Sequence, residues 1–140
     1  MIYTFGAGSL AQLSTCELSL QRVLRRALQI SPIDFKVLVG YRNQIDQEAA
    51  FAAGTSTLHW PDGKHNHFPS FAADIAPVPL DWRDRERFSY LAGVVLAAAR
   101  MESVRLRWGG DWNSDGKMID EAFRDLGHFE LALLPVQGGQ

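Results

Sequence analysis

Apolar residues recur along this chain with two different periods. Ser9 and Gln12 stand three apart in the manner of a capping box and predict the start of a helix. Leu10, Leu13, Leu20, Leu24 and Ala27 then form an apolar stripe at helical spacing that stops before Pro32. In "DFKVLVG" the period changes to two, with Phe35, Val37 and Val39 set against Lys36, and a strand is expected to end at Gly40. Asn43 is placed to cap a short helix, "QIDQEAAFAAG", with Gly54 as its terminator. Residues 55–70 read as a long loop with a turn at "WPDG". "FAADIA" is strand-like. "DWRDRERFSYLAGVVLAAARM" places Phe88, Leu91, Val95, Ala98 and Met101 on one helical face, leaving "RDRER" as a solvated one. "VRLRW" and "HFELALL" read as further strands. Helices and strands mix without a regular βαβ rhythm, so an α+β domain with a mainly antiparallel sheet flanked by helices is expected.

Composition changes this picture little. The 140 residues, 46% hydrophobic and 21% charged, suffice for one globular domain over 1–140, with no separate binding module expected. A net charge of −2 gives no reason to expect nucleic acid as a partner. The single cysteine, Cys16, excludes an internal disulfide and reads as a structural thiol. The N-terminal "MIYTFGAGSL" lacks the charged and long apolar regions of an export signal. The run Leu91–Ala99 is far shorter than the roughly 20 residues of a membrane span. The expectation is a cytoplasmic product at synthesis, without membrane insertion, that works as a monomer.

Chemistry concentrates in "KHNHFPSFAADIAP", residues 64–77, which holds two of the chain's four histidines and Asp74. An extended chain would separate His67 from Asp74 by roughly 23 Å. A shared ligand therefore requires the chain to fold back, and Pro69-Ser70 supplies a bend. Three protein ligands are the usual minimum for a catalytic zinc. His128, in "RDLGHFEL", is the histidine of the second half of the chain, and Asp125 stands three residues before it. His67, Asp74 and His128 can hold an ion and leave a position for water, while Asp125 is placed to take that water's proton.

These segments resemble a family. "HxxxxxxD" followed about fifty residues later by "DxxH" is similar to the LAS-type zinc peptidases, which include D-alanyl-D-alanine carboxypeptidases of the VanY kind. The nearer likeness is to phage endolysins that are L-alanyl-D-glutamate peptidases. "GYRNQIDQEAAFAAGTS", "DWRDRERFSYLAGVVLAAA" and "LRWGGDWNSDG" extend the resemblance over nearly the whole chain. It implies His67, Asp74 and His128 as zinc ligands, Asp125 as catalytic acid/base, and Arg42 as a grip on substrate or oxyanion. It implies as substrate the peptide stem of bacterial peptidoglycan, cut between L-Ala and D-Glu by an enzyme that reaches the wall once the membrane is opened. The commoner family pattern is Ser-x-His-x-x-Gly-x-Ala-x-Asp, and here His65 stands at the serine and Ser70 at the glycine. His65 is thus open to three roles: a hydrogen-bond donor behind the ligands, a substrate contact, or an alternative ligand in a His-x-His pair.

Plainer accounts exist for several of these residues. Arg42 can pair with Asp46, and Trp108 and Trp112 can serve as core and pocket wall. Glu130 shares a face with His128 if "HFE" is extended, and a hydrogen bond to a ligand and a salt bridge at the strand's start are equally open to it. "DWNSDG" opens like a calcium loop, with Asp111, Asn113 and Asp115 as donors. Ala122 stands where that loop wants its closing glutamate, so a tight capping turn is the commoner outcome. Two other functions fit the same residues: a carboxypeptidase releasing terminal D-Ala, and a non-catalytic module that keeps zinc for binding or structure.

Overall fold

A computed structural model describes residues 2–119 and 124–132. Its elements run α1 (Ala7–Leu13), α2 (Leu18–Ile30), β1 (Phe35–Val39), α3 (Gln44–Ala52), a 3-10 turn (Lys64–Asn66), β2 (Ala72–Pro77), α4 (Arg85–Met101), β3 (Leu106–Trp108) and β4 (His128–Leu131). The strands form one sheet in the order β1-β2-β4-β3, and every neighbouring pair is antiparallel. This is the α+β arrangement that the mixed periodicity predicts.

Alternation along the strands gives the sheet two unlike faces. Phe35, Val37, Ala73, Ile75, Trp108 and Phe129 point into the core, where they join Leu20, Val23, Leu24 and Ala27 of α2 and Leu91, Ala92, Val95 and Ala98 of α4. The intervening residues, Asp74, His128 and Glu130 among them, belong to the other face. The helices thus cover one side and leave the polar row on the other.

The apolar stripe after Ser9 is broken where one continuous run of helix was expected. Glu17 caps α2 by accepting from the Ser19 amide at 2.9 Å. Just before it the chain leaves the helix to pair with residue 70: the Ser70 amide donates to the Thr15 carbonyl at 2.8 Å and the Glu17 amide to the Ser70 carbonyl at 2.9 Å. Ser9 is not a cap either. It lies inside α1, whose N-cap is Gly6, and its hydroxyl accepts from the Val37 amide at 3.0 Å. Leu10 is on the exposed side. Helix α4 starts at Arg85 rather than Asp81 because Asp84 caps it, accepting from the Arg87 amide.

Other local readings match. Asn43 Oδ1 accepts from the Asp46 amide at 2.9 Å, and Gly54 ends that segment at φ +80°. Cys16 is buried, and burial pushes its thiol up to about 11, as befits a structural residue. Among the described residues no helix is long and apolar enough to cross a membrane. Leu133 and Leu134 of the expected last strand lie outside the described residues.

Because α2 and α4 are held to the sheet by one shared core, truncation of a fully buried α2 residue should be felt globally. Leu24→Ala is expected to lower the unfolding free energy by about 2–5 kcal/mol, read from chemical denaturation. A loss below about 1 kcal/mol would place Leu24 outside the main core.

Candidate metal centre

The antiparallel register of β2 and β4 sets Asp74 directly opposite His128. Their side chains therefore share the polar face, and His128 Nδ1 lies 3.1 Å from Asp74 Oδ1. The third member of the group is His65, whose Nε2 is 3.1 Å from the same Asp74 oxygen and 3.2 Å from His128 Nδ1. His65, Asp74 and His128 form the group able to hold a metal ion among the described residues.

His67, expected as a ligand, is not in this group. It is exposed, and its ring stacks on Phe71 with centroids 4.4 Å apart. The difference lies in the 3-10 turn. The Asn66 side chain is buried and donates to the Arg42 carbonyl and to Gln47 Oε1. The Arg42 amide donates to the His65 carbonyl at 2.8 Å. These bonds hold residue 65 beneath the sheet edge, whereas the backbone turns extended at His67 and carries its ring outward. His-x-His offered two candidates, and the fold brings His65 rather than His67 to Asp74 and His128.

The donor set suits a metal on its own chemistry. His65 Nδ1 is 2.7 Å from the Gly40 carbonyl, which can only accept, so that nitrogen carries the proton and Nε2 presents a lone pair. His128 Nε2 is 2.9 Å from Glu130 Oε1, so its Nδ1 likewise presents a lone pair. Two lone pairs and a carboxylate oxygen thus face one point from corners 3.1–3.2 Å apart. A tetrahedral zinc with bonds near 2.0–2.1 Å sets neighbouring donors about 3.3 Å apart. Burial opposes ionisation of Asp74, but the two adjacent imidazoles, when they carry the protons that a metal would displace, outweigh it and hold the carboxyl well below the usual range.

Asp125 stands beside this group, with Oδ2 4.0 Å from His128 Nδ1 and about a third of its side chain exposed. Burial, and then the Asp74 charge, push its carboxyl upward, as suits a group that must both take and give a proton. Its position is fixed from behind. The Asp125 amide donates to the Gly109 carbonyl at 2.8 Å, and a Cβ on Gly109 would lie 2.2 Å from the Asp125 carbonyl oxygen. The first glycine of "RWGGDWN" is therefore there for close backbone approach, and the second leaves room for the Trp108 ring.

Arg42 pairs with Asp74, not Asp46: Nη2 is 3.3 Å from Asp74 Oδ2, and Nη1 donates to Gln47 Oε1. Glu130 does more than bridge the start of a strand. It is buried, accepts from His128 Nε2, and pairs with Arg107 at 2.7 Å and Lys64 at 3.2 Å. Burial would raise its carboxyl, but hydrogen bonds from His128 and Arg107 hold it at about 2. The sequence left a hydrogen bond to a ligand and a salt bridge equally open for Glu130, and it makes both. Trp108 is in the core, and Trp112 stands 5.5 Å from the His128 ring. Arg42, Asp125, His128 and Trp112 line a cavity of about 290 Å³ over the group.

The "DWNSDG" loop is the tight turn. Asp111 accepts from the Asp115 and Gly116 amides, Asn113 from Asp115, and Asp115 from Lys117. A calcium site at Asp111, Asn113 and Asp115 gains no support from these bonds, and Ala122 lies outside the described residues.

Two imidazoles, a carboxylate and an adjacent second carboxylate define a mononuclear metal-hydrolase type of site on an antiparallel sheet. Residues 1–132 match the phage L-alanyl-D-glutamate peptidase family. Over 137 residues the chain is 39% identical to the L-alanyl-D-glutamate peptidase of Escherichia phage T5, covering 94% of this chain and 99% of that one. The crystal structure of the Serratia marcescens L-Ala D-Glu endopeptidase ChiX superposes with a TM-score of 0.73 at 27% identity, over 92% of this chain and 90% of the other. The chain belongs to the phage L-alanyl-D-glutamate peptidase family.

Two outcomes separate His65 from His67. His65→Ala should lose stoichiometric zinc by elemental analysis, together with the rise in melting temperature on zinc addition, while His67→Ala should keep both. The reverse pattern would restore His67 to the site. Glu130→Gln should leave the fold intact and weaken zinc affinity by about 10- to 100-fold in a competition titration. An unchanged affinity would remove Glu130 from the support of His128.

Proposed function

We propose that this chain is a zinc-dependent endopeptidase that hydrolyses the L-Ala–D-Glu bond in the peptide stem of bacterial peptidoglycan. The observation that carries the reading is Asp125, held beside the His65–Asp74–His128 group and opening into the same cavity. A structural ion has no need of a partly exposed carboxylate next to its ligands. The names of the T5 and Serratia proteins supply the bond.

His65, Asp74 and His128 would hold the ion, which when bound supplies Lewis acidity to the scissile carbonyl and to a water. Asp125 takes the proton from that water and returns it to the leaving nitrogen of D-Glu. Arg42, held by Asp74 and Gln47, lines the cavity and can donate to the oxyanion that develops on the carbonyl oxygen. Glu130 keeps His128 in the tautomer that presents Nδ1. The substrate lies in the cell wall, and the enzyme acts there as a monomer once the membrane has been permeabilised.

The test is mass spectrometry of fragments released from purified peptidoglycan by chelated and by zinc-restored protein. Zinc-dependent peptides beginning at D-Glu are expected. Release of D-Ala alone would mean a carboxypeptidase, and no release by zinc-loaded protein would mean a binding module. In the same assay Asp125→Asn should keep its zinc and fold but lose about 10²- to 10⁴-fold in turnover. Near-normal turnover in that variant would assign the proton transfer elsewhere.

A further inference from the structure

The row of the sheet next to Asp74 and His128 carries a second set of charges. Register places Ala72 of β2, Glu130 of β4 and Arg107 of β3 side by side. Arg107 Nη2 donates to Glu130 Oε2 at 2.7 Å, and its guanidinium lies 5.4 Å from the centre of the Trp112 ring. Arg107, Trp112, Asp125 and His128 line one cavity. The row contains neither an ion ligand nor the proton carrier, although its Glu130 supports His128.

Its charge is unbalanced. With His128 neutral, as a metal ligand must be, Glu130 is one anion shared by two cations, Lys64 and Arg107. The two differ in what they have left to offer. Lys64 Nζ also donates to the Leu131 carbonyl at 3.1 Å. Arg107 gives one terminal nitrogen to Glu130, and its Nε is buried with no partner among the described residues. Its side chain is 41% exposed, enough for the head group to be reached from the cavity. Arg42, the other guanidinium there, is tied to Asp74 and Gln47 and only 16% exposed.

The substrate brings a matching charge. The leaving nitrogen of an L-Ala–D-Glu bond is attached to the α-carbon of the glutamate. Where the stem continues through the γ-carboxyl, the α-carboxylate remains free, and bond lengths keep it within about 4 Å of the scissile nitrogen. It must therefore enter a cavity already lined by the carboxylates of Asp125 and Glu130. Burying a third carboxylate there is costly without a cation that can bond to it. A planar guanidinium, steadied on an aromatic ring and with donors to spare, is the group suited to that task.

We propose that Arg107 binds the free α-carboxylate of the D-Glu residue, and so makes the site selective for stems whose glutamate is not amidated. This rests on the peptidase reading above. Two soluble substrates test it: N-acetyl-L-Ala-γ-D-Glu-L-Lys and its counterpart with the glutamate α-carboxyl converted to the carboxamide. Zinc-loaded wild type should favour the free acid by about 10- to 100-fold in kcat/KM. Arg107→Gln should bring the two rates near parity, chiefly by losing rate on the acid, and Arg107→Lys should keep part of the preference. The readout is a ratio within one preparation, so a smaller active fraction in a variant cancels. A wild-type ratio near one would overturn the subsite alone, as would a wild-type ratio retained by Arg107→Gln. Failure of zinc-loaded wild type to cut either peptide would overturn the peptidase reading, and the subsite with it.

Discussion

The pairing of β2 with β4 is the constraint on which the rest of the site depends. Asp74 and His128 are 54 residues apart in the chain, and only the antiparallel register brings their side chains onto one face within hydrogen-bond reach. A slip of one residue would turn His128 into the core and Phe129 out of it. Register is protected against that slip by the apolar face, where Ala73, Ile75 and Phe129 pack against α2 and α4. Core packing and site chemistry are thus two faces of one strand pair.

The group so assembled is expensive to leave without a cation. Two imidazole lone pairs and a carboxylate oxygen converge in a largely buried position, and their outward-facing nitrogens are already committed to Gly40 and Glu130. Such an arrangement repels itself, and binding an ion relieves the repulsion. Folding energy from the helix-covered face holds the donors in place. The same logic explains why Glu130 is so heavily bonded: a carboxylate that polarises His128 must be kept ionised, and Arg107 and Lys64 do this.

Much of the fold was legible in the sequence, because it is written in local periods. The two-residue alternation in "DFKVLVG" and "FAADIA" marked strands, Asn43 and Gly54 bounded α3, and the stripe through Phe88 and Val95 marked α4. What local pattern could not show was the break at residues 14–17, since its cause is a bridge to Ser70, far along the chain. In the site, Asp74, His128 and Asp125 stood out by residue type and spacing. His65 stood only as an alternative to His67, because the choice between two histidines two residues apart is made by the anchoring of Asn66 to Arg42 and Gln47. The true partner of Arg42 was hidden for the same reason: Asp46 is near in sequence, while Asp74 is near only in the folded sheet.

The converging donors of β2, β4 and the 3-10 turn call for one ion between them. Anomalous diffraction at the zinc edge from crystals of the zinc-loaded protein tests it most directly. A single strong peak is expected about 2.0–2.1 Å from His65 Nε2, His128 Nδ1 and an Asp74 oxygen, with Asp125 alongside and unligated. A peak coordinated by His67, or zinc bound away from Asp74 and His128, would contradict it.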